Sequence, residues 1–177
     1  MLSNTFISKT KTLSFKTKHR LQFINITKQA RDFVSKSEIS SGMLIIQTHH
    51  TTFSVWVNES EKNLIGPEEI LGYTPDLKLI LDRFASPNET FSHDDIRDIN
   101  NPKGRRAEDL PKPNKDGTIS EPKNAHSHAH ALILQSSIPL IIENSKLLLG
   151  KWQNVLLVEL DHARERKTTM LAQGIRR

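Results

Sequence analysis

Cysteine is absent from the 177 residues, and that absence removes disulfide frameworks, thiol catalysis, iron–sulfur clusters and thiolate zinc sites together. Any metal ion must be held by His, Asp or Glu, and eight histidines are available. No apolar run approaches the ~18 residues a membrane span requires, so the expectation is a soluble, cytoplasmic chain with no membrane partner. Aromatic residues are also scarce, with a single tyrosine. Acids are missing from residues 1–31, where Lys9, Lys11, Lys16, Lys18, Arg20, Lys28 and Arg31 give a local charge of +7. The remaining 18 cations face all 20 acids, so the overall charge of +5 is an N-terminal feature laid on a slightly acidic body. Without basic–aromatic interleaving in that stretch, a nucleic-acid partner is a poor fit.

What is present suits one domain over residues 1–177. Hydrophobic residues make up 36% and charged residues 25%, a globular composition, and this length buries enough surface to need no covalent staple. Residues 1–20 are basic and rich in Ser and Thr, as a transit peptide would be. Yet Thr12 to Lys16 alternates polar and apolar residues, which favours an edge strand. Leu21 to Ile26 supplies a second short strand and Gln29 to Lys36 a helix. Met43 to Gln47 and Ser54 to Asn58 read as buried strands. Pro67 to Leu71 and Pro75 to Phe84 read as helices, the second with Leu77, Ile80, Leu81 and Phe84 at i, i+3, i+4 and i+7. Residues 85–123 carry five of the eight prolines, and about 101–123 reads as a loop insert. Ala129 to Ser136 fits a helix, and the last third is strand-rich: Ile138 to Glu143, Lys146 to Leu149, Trp152 to Leu160 and Arg164 to Leu171. Strands at both ends with helices between predict an α+β fold with a largely antiparallel sheet.

The densest chemical signal is Asn124-Ala125-His126-Ser127-His128-Ala129-His130. On an extended backbone His126 and His128 project together and can grip one ion; on a helix His126 and His130 share a face and His128 points away. A polar helix start with solvated imidazoles is the plainer reading. His49-His50-Thr51-Thr52 sits between two strands, at a sheet end or in a polar turn, and Asn58-Glu59 closes the second. His93 is followed by Asp94 and Asp95, which can orient it or simply form an acidic loop. Toward the C-terminus Gln153, Glu159 and Asp161 share strand parity. Arg164 and Arg166 share the face of the next strand, either as a phosphate clamp or as ion-pair partners of Glu159 and Asp161.

Taken in order, His50-Thr51-Thr52, Asn58-Glu59, His93-Asp94, Asn124-x-His126-x-His128, Gly150-x-Trp152-Gln153 and Glu159-x-Asp161-x-x-Arg164-x-Arg166 resemble the YjbQ-like family, secondary thiamine-phosphate synthases, over roughly residues 10–174. The resemblance implies a two-sheet, mostly antiparallel sandwich with a few helices, assembled as a homotrimer with its His sites near subunit boundaries. It implies union of hydroxymethylpyrimidine pyrophosphate with thiazole phosphate to give thiamine phosphate, as a main or a side activity. It assigns a divalent metal, zinc or magnesium, to His50, His93, His126 and His128. Glu159, Asp161, Gln153, Asn58 and Glu59 take catalytic roles, while Arg164, Arg166, Asn124 and Trp152 bind a small phosphorylated substrate. A metal-binding homotrimer with no true synthase activity is the alternative. Departures from the family pattern fall in turns: Lys151 replaces Thr, Ser145 replaces Gly, and His162-Ala163 replaces Gly-Pro before Arg164.

Overall fold

A computed structural model describes residues 5–94, 115 and 123–176; of the expected insert at 101–123, all but Lys115 and Lys123 lies outside the described residues. The period-2 pattern after residue 5 becomes a long edge strand, β1 (Thr5–Lys16), continued by β2 (Gln22–Asn25) and helix α1 (Thr27–Ser35). Then follow β3 (Ser41–Thr48), β4 (Phe53–Asn58), short helices α2 (Lys62–Ile65) and α3 (Glu68–Leu71), and α4 (Asp76–Phe84). A 3-10 turn at Ser92–Asp94 precedes α5 (Ala125–Ile133), and β5 (Ser137–Glu143), β6 (Lys146–Leu147), β7 (Asn154–Glu159) and β8 (Glu165–Arg176) complete the chain.

The strands form two antiparallel sheets, one of five strands in the order β1-β8-β3-β5-β6 and one of three in the order β2-β7-β4. This is the expected α+β architecture. Leu44, Ile46, Met170 and Ala172 from the larger sheet pack against Val55, Val155 and Leu157 from the smaller, with Ala30 and Val34 of α1 closing the same core. β7 is the central strand of the small sheet, flanked on both sides and almost wholly buried, which explains why its residues 155–158 read as a continuous apolar run. No helix among the described residues is long and apolar enough to cross a membrane.

Two close backbone approaches fix the larger sheet. Gly42 and Gly174 are direct partners across β3 and β8, and a Cβ on Gly42 would meet the Gln173 carbonyl oxygen at 2.1 Å. Three expectations shift. α4 forms, but only Leu81 of its apolar stripe is buried, while Ile80 and Phe84 stand 56% and 54% exposed. The helix has little more than two turns, and its apolar side meets the small cluster of Leu21, Leu134, Val158 and Leu160, which one row of side chains satisfies. α5 begins at Ala125, four residues earlier than expected, because Asp94 Oδ1 accepts the Asn124 and Ala125 N–H groups at 2.9 and 3.0 Å. β7 is shorter than Trp152 to Leu160: Trp152 and Gln153 stand in a turn closed by Gln153 N–H to the Gly150 carbonyl (3.1 Å) and Gly150 N–H to Gln153 Oε1 (2.8 Å).

Candidate functional site

The C-terminal end of β7 delivers two carboxylates into the interior. Glu159 is fully buried and accepts four hydrogen bonds: two from Arg166, one from Thr17 Oγ1 at 2.8 Å and one from the Asp161 N–H at 3.0 Å. Arg166 is buried to the same degree and also reaches the Thr52 hydroxyl and carbonyl at 3.1 and 3.3 Å. β8 runs antiparallel to β1 and β3, so Arg166 points inward, beneath Phe53, whose ring lies 5.6 Å from its guanidinium carbon. The pair thus ties β4, β7 and β8 together at one end of the sandwich.

Asp161 leaves β7 in the following bend. Its Oδ1 accepts His162 Nδ1–H at 2.8 Å, and its Oδ2 accepts Arg164 Nη2 at 3.0 Å and Asn124 Nδ2 at 3.3 Å. Burial pushes this carboxyl upward, but the His162 hydrogen bonds and the Arg164 charge outweigh it and hold Asp161 below the ordinary carboxylate range. With His162 Nδ1 donating, its Nε2 accepts Arg164 Nη2 at 2.6 Å. Arg164 lies just before β8 rather than on it. Its side chain is 37% exposed, so part of the guanidinium faces solvent while its buried Nε has no partner among the described residues. Both arginines therefore engage the two carboxylates, and Arg164 alone of the two keeps an outward-facing edge.

The helical form of the His segment decides how its imidazoles group. His126 and His130 share one face, with ring centroids 5.9 Å apart. His128 turns away and packs edge-on against His93, with centroids 4.9 Å apart. His130 Nε2 faces the Leu81 and Ala85 carbonyls at 2.8 and 3.1 Å, so it carries the hydrogen and leaves a lone pair on Nδ1. Ser127 Oγ donates to the Leu160 carbonyl at 2.6 Å and so accepts from His126 Nε2, which likewise leaves a lone pair on the buried Nδ1 of His126. Neither Nδ1 has a partner among the described residues. Burial lowers the basicity of both rings; for His126 the charge of Arg20 adds to it.

His50 stands apart from these pairs. Its Nε2 accepts the Lys167 N–H at 3.0 Å, and burial followed by the Arg166 charge lowers its pKa. The four histidines that the family resemblance assigns to one metal thus fall into separate places: His93 with His128, His126 with His130, and His50 against β8. Among the described residues, no three His, Asp or Glu side chains converge to hold an ion.

Asn58, Glu59, Trp152 and Gln153 lie at the other end of β7, where Asn58 pairs with Asn154 while Phe53 pairs with Glu159. Five residues of strand separate these ends by roughly 17 Å. Asn58 Oδ1 accepts the Glu59 N–H at 2.8 Å, and Trp152 is 62% exposed beneath the Lys151 ammonium. Within one chain, then, the motif residues form two groups. The first group also recruits Thr17, Thr52, Asp94 and His162, which sequence reasoning did not place in the site. Thr52 was visible inside its His-Thr-Thr motif and Asp94 beside His93, whereas Thr17 reaches Glu159 from 142 residues away, a contact no local pattern announces.

The family described as UPF0047 protein YjbQ-like matches the chain over residues 11–175. A UPF0047 protein of Archaeoglobus fulgidus is 27% identical over 160 residues, covering 90% of this chain and 98% of that protein. The UPF0047 protein YugU of Bacillus subtilis is 27% identical over 164 residues, covering 93% and 98%. Among solved structures, a YbjQ-like protein of unknown function from Sulfolobus solfataricus superposes with a TM-score of 0.71 at 27% identity, covering 96% of this chain and 99% of that one. A hypothetical protein from Aeropyrum pernix gives a TM-score of 0.68 at 26% identity, covering 94% and 98%. With the match spanning nearly the whole chain and the same two-sheet architecture recurring in those structures, this chain belongs to the UPF0047 (YjbQ-like) family.

Proposed function

We propose that the chain is a transferase of the secondary thiamine-phosphate synthase type. In this reaction the thiazole nitrogen forms a bond to the exocyclic methylene of hydroxymethylpyrimidine pyrophosphate, and the carbon–oxygen bond to pyrophosphate breaks. The electron pair of that bond leaves on pyrophosphate, and the ring nitrogen becomes cationic without losing a proton. Carboxylates are therefore needed for orientation and charge complementarity rather than as bases, which suits Glu159 and Asp161, whose oxygens are held by donors. The observation that carries the proposal is the Asp161–His162–Arg164 chain beside Asn124: a half-exposed guanidinium fixed by a buried carboxylate, the kind of fixed cation that stabilises a leaving pyrophosphate.

Glu159 and Arg166 act beneath this layer. They fix the Asp161 backbone and, through the Thr17 hydroxyl, which donates to Glu159 and accepts the Arg164 N–H at 2.9 Å, the start of β8. Among the described residues no three ligands converge, so this reading takes its ion with the substrate rather than from a resident site. The pyrophosphate substrate is taken as its magnesium complex, in which the ion neutralises charge on the leaving group. The homotrimer belongs to this proposal too. The group at the Trp152 end borders an apolar groove of about 440 Å³ along β4 and β5, where Ile133, Ile141 and Leu148 stand exposed. A second copy docked there would cover that surface; sedimentation analysis of the purified protein reads the assembly directly.

The test is formation of thiamine phosphate by purified protein from both precursors with magnesium. Product above background, lost with chelator, is expected; no turnover under those conditions overturns the proposal. One observation favours the alternative of a metal-binding homotrimer without synthase activity, namely the buried Nδ1 atoms of His126 and His130, neighbouring rings on one helix face, neither of which has a hydrogen-bond partner among the described residues. It requires bound transition metal in the purified wild type and its loss in the His126→Ala/His130→Ala double variant.

A further inference from the structure

A cleft of about 720 Å³ opens between the turn joining β1 to β2 and the helices α2 to α4. Its volume falls in the range of small-molecule sites. One wall carries Lys18, His19 and Arg20; the opposite wall carries Lys78 and the acids Glu68 and Glu69; Phe23, Ile65 and Pro67 supply apolar surface. None of these residues belongs to the motifs that marked the candidate site.

The wall is held in place with unusual firmness. Leu21 adopts φ 52° while almost fully buried, a left-handed conformation that costs a non-glycine residue about 1–2 kcal/mol and persists only where surroundings impose it. Those surroundings are visible. Thr17 N–H and Leu21 N–H donate to the Arg164 and Glu159 carbonyls at 3.0 and 2.7 Å, Lys18 N–H donates to Gln22 Oε1 at 2.7 Å, and Arg20 forks onto Asp82 of α4 at 2.6 and 3.0 Å. The turn is thus pinned on one side to the backbone of Glu159 and Arg164, and presents Lys18, His19 and Arg20 to the cleft on the other. The cleft and the Asp161–Arg164 group are two faces of one turn.

The charges in the cleft are unequally engaged. Glu68 is occupied by Lys78 Nζ at 2.8 Å and the Thr74 hydroxyl at 3.1 Å, and Arg20 by Asp82. No hydrogen bond or ion pair engages the Lys18 ammonium among the described residues. Lys78 is largely covered, and among the described residues it gives one of its three N–H groups to Glu68. We propose that this cleft binds the monophosphate substrate, the thiazole phosphate, with Lys18 and Lys78 holding its phosphate and Phe23, Ile65 and Pro67 receiving the attached ring. The proposal rests on the transferase reading for the identity of the ligand, but not for the existence of an anion site.

The probe is inorganic phosphate, titrated calorimetrically into the full-length protein. The variants are Lys18→Glu, an exposed position whose ammonium has no hydrogen bond or ion pair among the described residues, and Lys78→Gln. Lys36→Glu, at the exposed end of α1, controls for net charge. Loss of a charge-assisted contact predicts at least about tenfold weaker binding in Lys18→Glu and in Lys78→Gln, with Lys36→Glu within about twofold of wild type on the same scale. Undetectable binding to wild type, or unchanged affinity in Lys18→Glu, overturns the cleft assignment. Turnover assays separate the two claims. Thiamine phosphate formation with an unaltered KM for the thiazole phosphate in Lys18→Glu keeps the transferase and removes the cleft, whereas phosphate binding that needs Lys18 in a protein without turnover keeps the cleft and removes the transferase.

Discussion

Arg166 closes its guanidinium onto both carboxylate oxygens of Glu159 inside the sandwich, where the two side chains are 1% and 0% exposed. The pair arrives from adjacent segments of chain, β7 and β8, yet its other partners, Thr17 and Thr52, come from β-strand ends far away in sequence. It is the point on which both faces of the candidate site depend.

Removing one partner leaves the other charged, buried and unpaired. Glu159→Gln or Arg166→Met is expected to destabilise the fold by about 3–5 kcal/mol, and the double variant Glu159→Gln/Arg166→Met by less than the sum of the two. Chemical denaturation followed by circular dichroism measures all three. Additive losses would show that the pair is not coupled.

Acid sensitivity follows from the buried His126 and His130 and the partly covered His50. Burial lowers the pKa of His50, His126 and His130 in the folded state, so the unfolded chain binds protons first. Their contribution is complete above the unfolded value of about 6.5 and is lost as pH falls from there through the lowered folded values. Asp161 is also lowered, but its unfolded value is near 4, so its loss begins only below that. Stability measured at intervals from pH 7.5 to about pH 4.5 should decline, and His130→Asn should flatten the slope. A wild-type profile that stays level across that window would contradict neutral buried imidazoles.

Asp94 caps the helix that bears the histidines, and its neighbour His93 packs on His128. Asp94→Ala should cost about 1 kcal/mol, the usual value of a lost helix cap. It should also shift the imidazole resonances of His93 and His128 in heteronuclear NMR spectra while leaving those of His50 in place. Unmoved His128 signals would mean that the clasp does not position the ring.

Backbone contact between β3 and β8 gives a sharper stability test. Gly42→Ala would put a methyl group into the Gln173 carbonyl. Because both atoms belong to paired strands, the cost is expected to be about 1–3 kcal/mol or more, read as a lowered thermal midpoint. A midpoint equal to wild type would mean that the strands are free to separate there.

Much of the architecture is legible in local pattern because β1, β3, β5 and α1 obey their periods. In β5, for example, burial alternates along the strand, with Ile138, Leu140 and Ile142 turned inward. The His segment is different. Residues 124–130 satisfy both an extended and a helical reading, and the choice is made by Asp94, 30 residues away, whose carboxylate starts the helix at Ala125. The basic N-terminus is likewise settled at a distance: Lys9 and Arg20 pair with Glu38 and Asp82, acids outside the basic stretch. Parity along β7 placed Gln153 with Glu159, but the Gly150 turn withdraws Gln153 from the strand. Ion pairing of Arg164 and Arg166 with Asp161 and Glu159 was one of two sequence readings, and only the inward turn of β8 distinguishes the buried arginine from the half-exposed one.

The most direct test of the central claim is the rate of thiamine phosphate formation in Arg164→Ala beside wild type, both with magnesium and both precursors at saturation. Arg164 is half-exposed, so the variant folds, and the loss of a charge poised at the leaving group should lower kcat by about 10²-fold or more. A wild type with no turnover, or an Arg164→Ala variant with unchanged kcat, would contradict the account.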